Sequence, residues 1–196
     1  MSLSKPSSRA PGARPGEVRL IGGRFKRSKL PVPDAPGLRP TPDRVRETLF
    51  NWLGQDLSGW RVLDAFAGSG ALGFEAASRG AVAVTLLEND ARLVSGLQAV
   101  RQRLGAEAVT VLRADARAWL ARAPQGGFEL VLLDPPFDAG LAAPALAAAA
   151  PLLAERGFVY LETAATETAL SLPASLEPVR ELKAGAVLAR LFRRVG

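Results

Sequence analysis

The chain has 196 residues, a net charge of +6, no cysteine and no histidine. That length suits one sizeable domain with a short appendage. Without Cys there is no disulfide, thiolate metal site or Cys nucleophile, and without His there is no Ser-His-Asp triad and little zinc chemistry. No apolar stretch reaches membrane-spanning length free of turn residues; Ala139 to Ala154 comes closest and is punctuated by Pro144 and Pro151. The N-terminus lacks the apolar core of a signal peptide. The expectation is a cytoplasmic protein with no membrane partner and no metal.

The charge is unevenly spread. Residues 1–46 hold 11 Lys and Arg against 3 Asp and Glu, and residues 47–196 hold 14 against 16. The positive excess therefore sits in the first quarter, which points to a polyanion such as RNA or DNA. For the leader alone, a solubilising basic tail is an equal reading.

In chain order, residues 1–17 read as a disordered basic leader rich in Pro, Ser, Gly and Arg. Val18–Ile21, a Gly22-Gly23 turn and a second strand over Arg24–Val32 form a small basic hairpin. With the Pro/Gly-rich connector from Pro31 to Pro40, this makes an N-terminal lobe over residues 18–40. Thr41-Pro42 starts a helix, with Thr41 as N-cap and Pro42 in the first helical position. Val45, Leu49, Trp52 and Leu53 give that helix one apolar face.

Residues 41–196 form the main domain. Strands are expected over Arg61–Ala65, Val82–Glu88, Ala108–Ala114, Phe128–Asp134 and Gly157–Glu162. Helices are expected over Ala71–Arg79, Asp90–Leu104, Asp115–Ala121, Gly140–Leu153 and Ala164–Leu170. Repeated β-α units of this length mean an α/β fold with a parallel sheet covered on both faces. Glu177–Leu182 and Ala186–Arg193, joined at Ala184-Gly185, read as a closing hairpin with an antiparallel last strand.

Four successive strands end in a carboxylate: Asp64, Glu88, Asp115 and Asp134. Ligands of doubly wound sheets bind at these ends. Gly68-Ser69-Gly70-Ala71-Leu72-Gly73 follows Asp64 and matches G-x-G-x-x-G, so a dinucleotide is an obvious rival. A pyrophosphate gains nothing from the charge of Asp64, whereas the cationic amino-acid end of S-adenosylmethionine does. Asp64 either orders the loop or faces that end. Glu88 suits two ribose hydroxyls. Asp115 suits an adenine amino group or a helix N-cap, and the two roles are compatible.

Asp134-Pro135-Pro136-Phe137 is the most specific stretch. A carboxylate or backbone carbonyl there accepts hydrogen bonds from an amine, the prolines stiffen the turn, and Phe137 offers a face for stacking. A plain Pro-rich turn after a strand is the simpler alternative.

Together these residues resemble the class I S-adenosylmethionine-dependent methyltransferases, and the Asp-Pro-Pro-Phe tetrapeptide resembles the motif of those that methylate exocyclic amines. Ile21-Gly22-Gly23-Arg24 with Lys29-Leu30, Gly37 to Thr41, and Asp43 to Leu53 narrow the resemblance to the RsmD family, over about Val18 to Arg194. The resemblance implies a Rossmann-like seven-stranded sheet, mostly parallel with an antiparallel last strand, plus a small N-terminal β-hairpin lobe. It implies methyl transfer from S-adenosylmethionine, released as S-adenosylhomocysteine, to N2 of a guanine in small-subunit ribosomal RNA. Asp64, Phe66, Ala67, Gly68, Gly70, Glu88, Asn89, Asp115 and Ala116 would line the donor pocket, and Asp134, Pro135, Pro136 and Phe137 would hold the base.

Arg24, Lys26, Arg27, Lys29, Arg39, Arg44 and Arg46 are read as phosphate contacts. Arg44 or Arg46 alternatively pairs with Glu47 or faces the donor carboxylate. The expected partner is small-subunit RNA or a partly assembled 30S subunit, met by a monomer. Cytosine-C5 methylation is excluded because it normally needs a Cys. A DNA adenine-N6 or other RNA amine enzyme shares the tetrapeptide. An oxidoreductase using NAD is disfavoured by Asp64, and a silent RNA-binding assembly factor by the intact acids.

Overall fold

The computed structural model describes residues 16–33, 41–137 and 140–196. Most of the expected leader therefore lies outside the described residues, as does Arg39. Gly16 and Glu17, assigned to the leader above, instead begin strand β1 (Gly16–Arg19). It pairs antiparallel with β2 (Lys29–Val32), Val18 opposite Leu30. The second strand is shorter than expected. Residues 20–28 form a looped tip, closed by Leu20 N–H on Ser28 O at 2.9 Å and Arg27 N–H on Leu20 O at 2.8 Å. Positive φ at Gly23 and Arg27 is incompatible with a ladder there.

Helix α1 (Asp43–Trp52) buries Val45, Leu49 and Phe50 together with Arg46. Thr41 does not cap it. Its hydroxyl instead donates to Glu162 Oε1 at 2.8 Å, across 121 positions of sequence. The chain then alternates β3 (Arg61–Asp64), α2 (Ala71–Ser78), β4 (Ala83–Glu88), α3 (Ala91–Leu104), β5 (Val109–Arg113), α4 (Ala116–Leu120), β6 (Phe128–Leu133) and α5 (Ala142–Ala149). Pro151 shortens α5 by forcing a 3-10 turn over Ala150–Leu152. Strand β7 (Leu153–Ala164), β8 (Leu176–Ala184) and β9 (Val187–Arg194) complete the main sheet.

The sheet order is β5-β4-β3-β6-β7-β9-β8. β9 runs antiparallel to both neighbours; the pairs from β5 to β7 are parallel. The expected helix over Ala164–Leu170 is absent. The β7–β9 ladder reaches Ala164 opposite Val187, and Ala165 N–H extends it to Ala186 O. Pairing holds Ala164 and Ala165, and residues 166–170 follow as turn and coil.

Alternation along the strands separates two cores. Val62, Leu86, Leu130, Leu132 and Tyr160 face α1, α2, α3 and the hairpin, whereas Leu63, Leu87, Val131, Leu133 and Leu161 face α4 and α5. Val18, Leu20, Phe25 and Leu30 of the hairpin share the first core, so the hairpin packs against the main sheet directly. Among the described residues, no helix is long and apolar enough to cross a membrane.

Candidate active site

Strand order reverses between β3 and β6, and the acids gather around that point. Register shows how. Asp64 pairs with Leu86 on one side and Leu132 on the other, and Leu132 pairs with Tyr160. Glu88, Asp134 and Glu162 each follow those partners by two residues. They therefore stand on the face that carries Asp64, one pleat repeat or roughly 6.6 Å further along the strands. Asp64 forms a lower tier beneath the loop that follows it.

Asp64 is almost fully buried, and its Oδ2 accepts from Gly73 N–H at 3.0 Å. It ties the glycine loop to the start of α2. A Cβ at Gly73 would lie 2.1 Å from Leu86 Cδ2, so a side chain there would force the buried Leu86 to move. Gly70, at φ +77°, caps α2, and its own Cβ would strike Phe74 and Leu97. Burial pushes the Asp64 carboxyl up to about 7, aided by Glu88 and Glu162 and opposed by the N–H groups of Gly73 and Phe66. Raised in the fold, Asp64 favours folding fully below about pH 4, and that contribution is lost as pH rises to about 7. Asp64→Asn keeps an acceptor for Gly73 but cannot ionise. Wild-type stability relative to this variant is expected to fall between those pH values by on the order of 4 kcal/mol, read by urea unfolding. Parallel pH curves for the two proteins would refute it.

Glu88 closes β4 half-buried. Its Oε2 accepts from Gly68 N–H at 3.0 Å, and its Oε1 accepts from the N–H groups of Asn89 (2.7 Å) and Asp90 (2.9 Å). The carboxylate is thereby fixed beside the loop with one lone pair, on Oε2, to spare. Phe66 and Ala67 form the loop's first turn, where Ala67 N–H donates to Leu87 O at 3.0 Å. Asp115 caps α4 by accepting from Ala118 N–H at 2.8 Å, and its side chain is otherwise exposed. Ala116 is the buried first residue of that helix. Ala114, Asp115, Ala118 and Trp119 line a depression of about 370 Å³.

Asp134 leaves β6 partly buried beside Asp64, and Pro135 behind it is buried. Phe137 is one of the few large apolar side chains on the surface, 37% exposed. Burial, and then the neighbouring Glu162 and Asp64, hold the Asp134 carboxyl well above the usual range. Glu162 is 2% exposed, and its Oε1 accepts from both Thr41 Oγ1 and Tyr160 Oη at 2.8 Å. Sequence reasoning missed Glu162 and Thr41 as site residues. The signal available was Glu162 ending the next strand after Asp134.

The basic residues divide. Arg24, Lys26, Arg27 and Arg44 are exposed, and Lys29 pairs with Glu17 at 2.8 Å. Arg46 does not face solvent, which corrects its reading as a phosphate contact. It is fully buried and does not pair with Glu47. It donates to Arg19 O (2.8 Å), Asp43 Oδ1 (2.5 Å) and Thr41 O (3.3 Å), and Glu75 Oε2 stands 3.5 Å away. The hairpin tip is anchored at the end of α2 by Arg24 N–H on Ser78 O at 2.7 Å. The glycine loop lies at the other end of that eight-residue helix, about 12 Å away.

Residues 18–193 match the family model described as "Conserved hypothetical protein 95". The chain is 41% identical over 181 residues to ribosomal RNA small subunit methyltransferase D of Escherichia coli, covering 91% of each. It is 40% identical over 187 residues to the Haemophilus influenzae protein of the same name, covering 91% of this chain and 94% of that one. The solved structure of yhhF from Escherichia coli superposes with a TM-score of 0.82 at 39% identity, over 91% of this chain and 98% of that one. With a relative this similar across nearly its full length, the chain belongs to the ribosomal RNA small subunit methyltransferase D family.

Proposed function

We propose that this protein transfers a methyl group from S-adenosylmethionine to the exocyclic N2 amine of a guanine in small-subunit ribosomal RNA. The observation that carries the reading is the placement of Asp134-Pro135-Pro136-Phe137 at the switch point, beside the glycine loop and level with Glu88. The names of the relatives support the RNA substrate.

The residues present fit the donor. Glu88 would accept a ribose hydroxyl. Asp115, with one oxygen on the helix cap and one free, would take the adenine amino group above Ala116. The backbone from Phe66 to Gly70, kept in place by Asp64, would follow the amino-acid end. The loop's close approach is built in, since a side chain at Gly70 has no room. When bound, the donor supplies an electrophilic methyl group carrying positive charge. Glu88→Ala is expected to weaken donor binding by about 1.5–3 kcal/mol, the value of hydrogen bonds to a charged group. Calorimetry showing an unchanged dissociation constant would reject that role.

A guanine N2 lone pair is delocalised into the ring and is a poor nucleophile. Asp134 and the Pro135 carbonyl would accept its two N–H groups and draw it out of the ring plane. Placement of the amine in line with the methyl group contributes up to about 7–11 kcal/mol in favourable cases. Phe137 would stack on the extruded base, worth about 1–3 kcal/mol.

Arg24, Lys26 and Arg27 on the tip, with Arg44 on α1, would hold phosphates flanking the target. Lys29 would join them at the cost of its pair with Glu17, and Arg39 would add to them from the connector. Such contacts give affinity and register but little sequence choice. The deciding experiment is labelled methyl transfer onto RNA and 30S particles from a strain lacking this enzyme, followed by nucleoside mass spectrometry. N2-methylguanosine is the expected product, and N6-methyladenosine or no product overturns the reading.

A further inference from the structure

We propose that Glu162, bridged by Thr41, is a positioning residue for Asp134: it carries the charge of the acid pair and takes up Asp134's proton as the target amine is discharged. The inference rests on the amine-methylating reading of the Asp134 site and adds a second working carboxylate to it.

The geometry begins with the sheet. Leu133 and Leu161 are paired in register, and Asp134 and Glu162 are the next residue on each strand. Their carboxyls rise side by side on neighbouring strands, roughly 5 Å apart at the backbone. Two carboxylates this close in a dry site do not both ionise readily, and the proton they share belongs to the pair.

The hydrogen bonds decide where the charge rests. Glu162 Oε1 accepts from two hydroxyls, Thr41 Oγ1 and Tyr160 Oη, each at 2.8 Å. The buried Arg46 of α1 adds positive charge from above. A hydrogen bond from the Thr41 hydroxyl to Asp134 would favour the charged form of Asp134, but that hydroxyl has one proton and gives it to Glu162. What it offers Asp134 is a lone pair, which suits a protonated carboxyl. Below them Asp64 adds further repulsion against a second charge. Glu162 is pushed up by burial, with Thr41, Tyr160 and Arg46 opposing, whereas Asp134 is driven far above its ordinary value. The two hydroxyl donors on Glu162 therefore place the charge there and the proton on Asp134.

This arrangement matches the reaction. The amine nitrogen forms a bond to the methyl carbon while the carbon–sulfur bond breaks with its electrons going to sulfur. The nitrogen must then lose one proton. Asp134 accepts it on its carbonyl oxygen as its own O–H proton passes to Glu162, directly or through the Thr41 hydroxyl. The positive charge brought by the donor is cancelled by the single negative charge of the pair, and Glu162 later returns its proton to solvent.

The test compares wild type with Glu162→Gln, which keeps an acceptor for Thr41 and Tyr160 but neither the charge nor the proton affinity. Expected are a kcat lower by about 10²-fold and loss of the acid limb of the pH–rate profile. RNA KM and donor Kd should stay within about twofold, and Glu162→Asp should recover part of the rate. Independently of turnover, carbon-13 NMR of the carboxyls should show Asp134 protonated at neutral pH in wild type and ionising at lower pH in Glu162→Gln. Unchanged kcat and pH profile in Glu162→Gln, or an unmoved Asp134 titration, overturns the proposal. If Glu162→Gln does not fold, Thr41→Val, which leaves both carboxyls, decides: an unaltered kcat and Asp134 titration overturns it. A wild-type protein that methylates no guanine N2 defeats the functional reading alone, because the NMR titration still answers for the pair.

Discussion

Asp134→Ala is expected to lower kcat by about 10²–10³-fold, the cost of removing the carboxyl that accepts the amine and relays its proton. Donor affinity should stay within about twofold, because the Glu88 and glycine-loop bonds are made by other strands. The alanine variant should also fold at least as well as wild type at pH 8. Asp134 is raised in the fold, so its favourable contribution exists at low pH and is lost as pH rises. Deleting the carboxyl removes a group whose ionisation Glu162 and Asp64 both oppose. Loss of activity with retained or raised thermal stability is the signature of a functional residue kept against the interest of the fold. Asp134→Asn is the informative companion. Its amide oxygen still accepts an amine N–H, so it should retain more activity than alanine. Equal activity in wild type and alanine variant, measured as single-turnover methyl transfer, would remove Asp134 from the mechanism.

Much of this site was legible in one dimension. Val62–Leu63–Asp64 and Leu130 to Asp134 are apolar runs ended by an acid, and a buried parallel strand produces that pattern. The glycine spacing after Asp64 survived as geometry, because both Gly70 and Gly73 sit where a Cβ has no room. What was not legible depended on elements meeting in space. Arg46 sits in α1 with ordinary helical spacing from other charges. Only when the hairpin, α2 and the Thr41 segment converge on it does it become fully buried. Thr41 satisfied a helix-cap pattern, yet its hydroxyl found a stronger acceptor 121 residues away. In sequence Glu162 closes an apolar run as Asp134 does, but register between β6 and β7 is a property of the folded sheet. The segment after Ala164 has helix-forming residues, yet Ala164 and Ala165 are held on β9 and the chain leaves them as turn and coil.

The second large effect concerns Glu75, a residue with no place in the chemistry. Glu75→Gln is expected to cost about 3–5 kcal/mol of stability, as breaking a buried charge pair does. Glu75 is fully buried on α2. It accepts from Ile21 N–H and Gly22 N–H at 2.8 Å each and from Arg79 Nε and Nη2 at 2.9 Å, with Arg46 Nη1 at 3.5 Å. A neutral amide removes the acid that pairs with both Arg46 and Arg79, and it turns an N–H₂ donor toward a backbone N–H. On a chain of this size the melting temperature should drop by on the order of 10 °C. The loss should start at the hairpin, where amide exchange at Ile21 and Gly22 becomes fast before the main sheet opens. The same node explains why removing residues 1–32 is a poor test of RNA binding. That cut strips Val18, Leu20, Phe25 and Leu30 from the core and leaves the Glu75 carboxylate buried without two of its donors. Glu75 thus joins the basic tip to the helix whose other end carries the glycine loop, so on the proposed reading RNA held by the tip would keep a fixed relation to the methyl donor. A Glu75→Gln protein with wild-type melting and unchanged exchange at Ile21 and Gly22 would show that the hairpin is not clamped there.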